Sequence, residues 1–190
     1  MTTRRLLLGA TLAAPAGWLL AAEADAAELG PTPSCGDDEP TPRQTEGPYF
    51  KPSSPERADL RDPSVPGQPF VLSGLVLTTT CLPVAGAIVD LWHCDGEGAY
   101  DNRGFRCRGH QLTDAQGRWR FETVRPGLYT GRTRHFHLKA YAAGSRMLTT
   151  QLYFRGEPGN ARDGIWRREL EMVIDPAGTA GRFDLVLASA

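Results

Sequence analysis

Several kinds of residue that would announce a function are scarce in this chain. It has only four cysteines and four histidines in 190 residues. No two cysteines stand in Cys-x-x-Cys spacing, so nothing suggests a zinc knuckle. Charge of one sign is lacking too: 21 Lys and Arg stand against 22 Asp and Glu, for a formal net charge of −1. Without a basic run or patch, nucleic acid and anionic lipid are poor partners. Long hydrophobic runs are missing as well. The stretch Leu6 to Leu20 is 15 residues, short of the roughly 20 that span a bilayer. Arg4 and Arg5 precede it and Ala24-Asp25-Ala26 follows, so residues 1–26 are expected to be a cleaved export signal rather than a membrane span. Thr3-Arg4-Arg5-Leu6-Leu7 resembles a twin-arginine signal, which predicts a periplasmic or extracellular destination. Helical periodicity is also scarce; IWRREL (165–170) offers at most a turn or two.

What remains after the signal is 190 − 26 = 164 residues, enough for one domain with a substantial core. Residues 27–68 read as an extended N-terminal arm, rich in Pro, Asp, Glu and Thr over 27–45. From 69 to 190 the pattern is β. The segments 69–77, 86–93, 118–124, 135–142, 147–154 and 182–188 are rich in Val, Leu, Phe, Trp and Tyr and are separated by LPVAG, DAQG and RPG turns. RWRFETV alternates, with Trp119, Phe121 and Thr123 on one face. Short strands at this spacing predict an all-β, antiparallel β-sandwich with long loops. Export would permit disulfides among Cys35, Cys81, Cys94 and Cys107, and the four residues allow three pairings.

Half the histidines are spent in one strand. His135 and His137 are two residues apart, so the pleat points both imidazoles to one face. That pair is either half of a metal site or a coincidence of packing. Asp95, Glu97 and Asp101 lie in a Gly-rich loop that reads as exposed. Two tyrosines are better placed: Tyr100 ends DGEGAY, and Tyr129 sits in PGLY, six residues before His135. A phenol with a pKa near 10 ionises at neutral pH only beside a strong Lewis acid (about 10,), as thiols and water do. Phenolate is a hard anionic donor that favours ferric iron. His93 and His110 are read as structural or supporting, and Tyr153 and Tyr141 as packing residues.

PGLYTGRTRHFHLKA followed by LTTQLYF resembles the catalytic half of intradiol ring-cleavage dioxygenases, non-haem ferric β-sandwich enzymes that open catechols between their two hydroxyls. The resemblance implies Tyr100, Tyr129, His135 and His137 as ligands of Fe(III). It implies Arg132 and Gln151 beside the reacting ring and Tyr129 as the tyrosine displaced by substrate. TEGPYF (45–50) resembles the family's pocket-lining arm, which makes Pro48, Tyr49 and Arg132 substrate-contacting residues. Thr133 and Arg134 stand where the family usually has Arg-Pro, as in its secreted branch. The implied reaction inserts both atoms of O2 into a catechol-type diol and gives a muconate-type diacid. Two other readings compete: an exported β-sandwich binding module without chemistry, and a copper or zinc protein built on His135, His137 and His93.

Overall fold

A computed structural model describes residues 29–30, 35, 39–129 and 131–190. The expected export signal lies outside them. The described residues form nine strands: β1 (Pro69–Thr78), β2 (Ile88–Trp92), β3 (Arg108–Leu112), β4 (Arg118–Val124), β5 (His135–Tyr141), β6 (Leu148–Phe154), β7 (Glu171–Ile174), β8 (Ala180–Arg182) and β9 (Leu185–Leu187). The helical content of the described residues is two 3-10 turns, Asn160–Arg162 and Arg168–Leu170, the second inside IWRREL. No helix among the described residues is long and apolar enough to cross a membrane.

The strands follow the order β3-β2-β5-β6-β7-β8-β1-β4, with β9 pairing beside β1. Most pairings are antiparallel, but β6–β7, β1–β8 and β1–β9 are parallel, so the expected antiparallel sandwich is a mixed one. Strand β7 pairs with β6 on one side and β8 on the other, joining a β3-β2-β5-β6 layer to a β8-β1-β4 layer. Alternation decides which residues fill the space between them. Phe70 and Leu72 of β1, Trp119 and Phe121 of β4, and Phe136 and Leu138 of β5 are all almost fully buried in one cluster. Ring centroids of Phe70 and Phe136 approach to 5.6 Å and those of Phe70 and Phe154 to 5.3 Å, contacts that bridge the layers. These rings remove enough apolar area from water to dominate the favourable side of folding.

The opposite face of β5 carries His135, His137 and Lys139, and it is covered too. The arm crosses it. Gln44 N donates to Thr149 O at 2.8 Å, and Glu56 and Asp59 form isolated bridges with His110 and Glu122. Cys35 and Cys81 are disulfide-bonded, tying the arm to the turn after β1. Cys94 and Cys107 are free and buried, and burial pushes the Cys94 thiol up to about 11 and that of Cys107 up to about 12.

Candidate metal centre

Two loops and one strand deliver the four candidate ligands. The loop after β2 is built on Asp95, whose Oδ1 accepts from Glu97 N and Ala99 N at 3.0 and 2.9 Å. Its carbonyl accepts from Gly98 N at 3.1 Å and from Gly127 N, in the other tyrosine loop, at 2.7 Å. The two loops meet backbone to backbone. A Cβ on Gly98 (φ +88) would stand 2.2 Å from Leu128 O, and one on Gly127 would stand 2.4 Å from Gly98 N. Only glycine permits that approach. Its consequence is that Tyr100 and Tyr129, 29 positions apart, have ring centroids 5.8 Å apart and nearly perpendicular.

The imidazoles come from β5. Rings of His135 and His137 are 4.7 Å apart, with Nε2 to Nε2 at 3.1 Å. His135 Nδ1 donates to Thr133 O at 2.7 Å, which leaves its Nε2 as a lone pair. Trp92, directly across from His137 on β2, stacks on that ring at 5.0 Å. The Tyr100 ring lies 6.3 Å from that of His137. Burial holds His135 down to about 4, helped by the Arg132 charge, and holds His137 well below 6.5. Both imidazoles are therefore neutral at pH 7 and available as donors. Burial also raises the Tyr100 phenol, so that it stays protonated unless a strong cation sits beside it.

A ferric ion fits this donor set. Two imidazole nitrogens face each other across 3.1 Å, the buried Nδ1 of His137 has no hydrogen-bond partner, and two phenols supply hard oxygen donors next to them. Among the described residues no group of three or more His, Cys, Asp and Glu comes together, so a divalent-metal site of that type is not built. The rival site with His93 is not assembled. His93 faces the core against Phe136, with Nδ1 2.7 Å from Cys94 O and Nε2 2.8 Å from Thr123 Oγ1.

The remaining expected residues gather around the same point. Tyr49 stacks on Tyr100 at 4.3 Å, and its hydroxyl is 3.1 Å from that of Tyr129. That bond, with some burial, raises the Tyr49 phenol. Pro48 is exposed at the turn beside it. Arg132 Nη2 donates to Gln151 Oε1 at 2.6 Å, and Gln151 Nε2 donates to Thr45 O at 3.0 Å.

Asp163 lies outside every motif in the sequence analysis, and two residues given other roles there also belong to the site's surroundings. Asp163 accepts from Arg132 Nε at 2.8 Å and from the amides of Thr133 and Ile165 at 2.9 and 3.1 Å. Burial opposes its ionisation, yet those donors bring its pKa below the ordinary value. Tyr153 is no mere packing residue: its hydroxyl donates to Gln44 Oε1 at 2.6 Å and lies 3.4 Å from Arg132 Nη2. Asp101 departs from the exposed reading; it is largely buried and its carboxylate accepts from the amides of Arg103, Gly104 and Arg106. Arg108 and Arg134 are already engaged, Arg108 on Tyr49 O and Asp101 O, Arg134 on Glu157 and Pro126 O. A cavity of about 780 Å³ opens between Leu128, Tyr129, Arg132 and the loop of Glu157 and Asp163.

A family profile described as Dioxygenase matches residues 45–176, which include the four candidate ligands, Tyr49, Arg132, Gln151 and Asp163. The chain belongs to the intradiol ring-cleavage dioxygenase family. Among this family's curated proteins, the chain is 33% identical over 144 residues to catechol 1,2-dioxygenase 2 of Acinetobacter lwoffii, covering 62% of this chain and 52% of that one. It is 33% identical over 128 residues to the protocatechuate 3,4-dioxygenase beta chain of Burkholderia cepacia, covering 57% and 54%. The chain thus spans about half the length of the curated relatives it matches. Of the solved structures, the dioxygenase domain of a dioxygenase–carbohydrate-binding protein fusion from Streptomyces sp. SirexAA-E superposes with a TM-score of 0.76 at 51% identity, covering 80% of this chain and 100% of that one. Catechol 1,2-dioxygenase from Pseudomonas arvilla C-1 superposes with a TM-score of 0.70 at 29% identity, covering 80% and 63%.

Proposed function

We propose that this chain is an Fe(III)-dependent intradiol dioxygenase that opens a catechol-type diol between its two hydroxyl-bearing carbons. One observation carries the reading: the rings of Tyr100, Tyr129, His135 and His137, drawn from two loops and a strand, converge in a single cluster. Ferric iron, when held by those four residues, would supply the Lewis acidity and redox capacity that let a diol react with O2.

The chain's own residues do the rest. Burial beneath the arm and against Trp92 keeps the imidazoles neutral and water out. Tyr129 Oη, held as a phenolate when iron is bound, would accept one hydroxyl proton of the diol, and Tyr49 Oη at 3.1 Å would hold the resulting neutral phenol by a hydrogen bond. Asp163 and Gln151 occupy Nε and Nη2 of Arg132. Nη1 takes no part in those bonds and is left as the donor available to negative charge developing on the ring carbon that O2 attacks. Both atoms of one O2 end in the product, so catechol plus O2 gives a muconate-type diacid without a further reductant. An exported setting belongs to the same reading; it is supported by the N-terminal signal pattern and by the Cys35–Cys81 disulfide, which persists in oxidising compartments.

The test is metal analysis with an absorption spectrum, followed by catechol turnover read as muconate formation. About one iron per chain and a tyrosinate-to-iron band in the visible are expected. Tyr100→Phe and Tyr129→Phe should each lose or shift that band. Unchanged spectra in both variants, or an extradiol product, would overturn the proposal.

A further inference from the structure

Lys139 stands on β5 two residues beyond His137, on the same face. Lysine on an outer strand face ordinarily extends into water, but this side chain is only 14% exposed. Its ammonium lies 2.5 Å from Glu46 Oε2, donates to Thr149 Oγ1 at 3.0 Å, and sits over the Phe50 ring at 4.6 Å and near the Trp92 ring at 6.0 Å. Glu46 and Phe50 are the two flanks of the turn Gly47-Pro48-Tyr49. One side chain of the sheet therefore grips both feet of the segment that lays Tyr49 on Tyr100 and Tyr129 and seats Gly47 against His137, where a Cβ would be 3.2 Å from the ring. The other anchors are Arg108 on Tyr49 O and Gln151 on Thr45 O, which hold backbone, and Trp92 of β2, which meets the Phe50 ring edge-on at 4.9 Å but does not reach the Glu46 foot.

We propose that Lys139 is a positioning residue, a clasp that closes the 45–50 turn over the centre and so forms the wall against which the diol ring is held. Its effect on turnover rests on the ring-cleavage reading; its effect on the arm does not. An ammonium shared between a carboxylate and an aromatic face, largely out of water, binds more strongly than an exposed ion pair. Losing it releases two contacts at once.

The experiment has two arms. In metal-free protein, hydrogen exchange of the non-proline amides of 44–51, Gln44 and Gly47 above all, should quicken about tenfold in Lys139→Met relative to the wild type, with the core strands unchanged. Lys139→Arg should restore most of the protection, and Glu46→Gln should lose part of it. In iron-loaded enzyme, Lys139→Met should raise KM for catechol about tenfold while kcat falls by less than about threefold, because the clasp orders a wall and touches no reacting atom. Unchanged exchange at 44–51 in Lys139→Met, or no recovery with Arg, overturns the proposal. If Lys139→Met loosens the whole sheet, Glu46→Gln at its half-exposed site decides: protection equal to the wild type rejects the clasp. Faster exchange in Lys139→Met, together with an iron-loaded wild type that leaves catechol intact, would keep the clasp and sink the ring-cleavage reading.

Discussion

At the scale of single residues, one buried carboxylate holds the reactive end of the site in order. Asp163, with 1% of its side chain exposed, takes the Nε of Arg132 and two amides. Replacing it with Asn keeps an acceptor of nearly the same shape but leaves the guanidinium without its counter-charge. A charge stripped of its partner in a buried place is costly. Asp163→Asn is expected to lower kcat/KM for catechol about 10- to 100-fold while iron content and the visible band stay as in the wild type, since Asp163 touches no candidate ligand. Kinetics and iron analysis on the same preparation check this; loss of iron, or full activity, contradicts it. Arg132 and Gln151 were legible in the sequence because they stand in recognisable motifs. Asp163 was not, because nothing in GNARDGI distinguishes a buried carboxylate from a turn residue. What marks it is the approach of a segment 31 positions away from Arg132.

Among the elements, the strands that alternate were the readable ones. RWRFETV spans β4 residue for residue, and HFHLKAY is β5. RGHQL, which forms β3, has one apolar side chain and gives no alternating signal; it is a strand because β2 supplies its hydrogen-bond partners. The final stretch, expected as one strand over 182–188, is divided between β8 and β9, and β7 is four residues next to a 3-10 turn, too short to show a period. Loops are harder still, and here they carry the two phenols. The glycine contact between them makes a sharp prediction. Gly98→Ala puts a methyl into Leu128 O at a backbone angle that side chains disfavour, so the loops must part. The variant should keep the far-ultraviolet spectrum of the wild type and lose most of its bound iron and colour. Retention of both would show that the loops tolerate separation or that the phenols are not ligands. A destabilisation of about 2 kcal/mol is expected alongside, as for other overpacked sites.

For the molecule as a whole, the buried imidazoles set its response to acid. The unfolded chain protonates histidine near 6.5, while burial holds His93 and His135 in the fold down to about 4 and His137 well below 6.5. Between those limits the unfolded state binds more protons, so the histidines' contribution to stability falls as pH falls from 6.5 toward about 4 and is constant above 6.5. Carboxylates whose pKa values are lowered, such as Asp163 and Asp59 (to about 2), lose their contribution only below about 3.8. Urea midpoints of the metal-free protein from about pH 7.5 to 4.5 should therefore drop with a slope of up to three protons. A flat profile across that range would mean that one or more of these rings is accessible to protons in the fold.

From the amino-acid order alone came the β class and the same-face pairing of His135 and His137, because strand period is a local property; the proposed ligand set came from the resemblance of the surrounding motifs to a family. Only the folded chain decided that Tyr100 and Tyr129 meet, that His93 turns to the core, that Asp163 holds Arg132 and that Lys139 grips the arm. Those are contacts between segments distant in sequence. They exist because layers pack, glycines let backbones touch and buried polar groups must find partners.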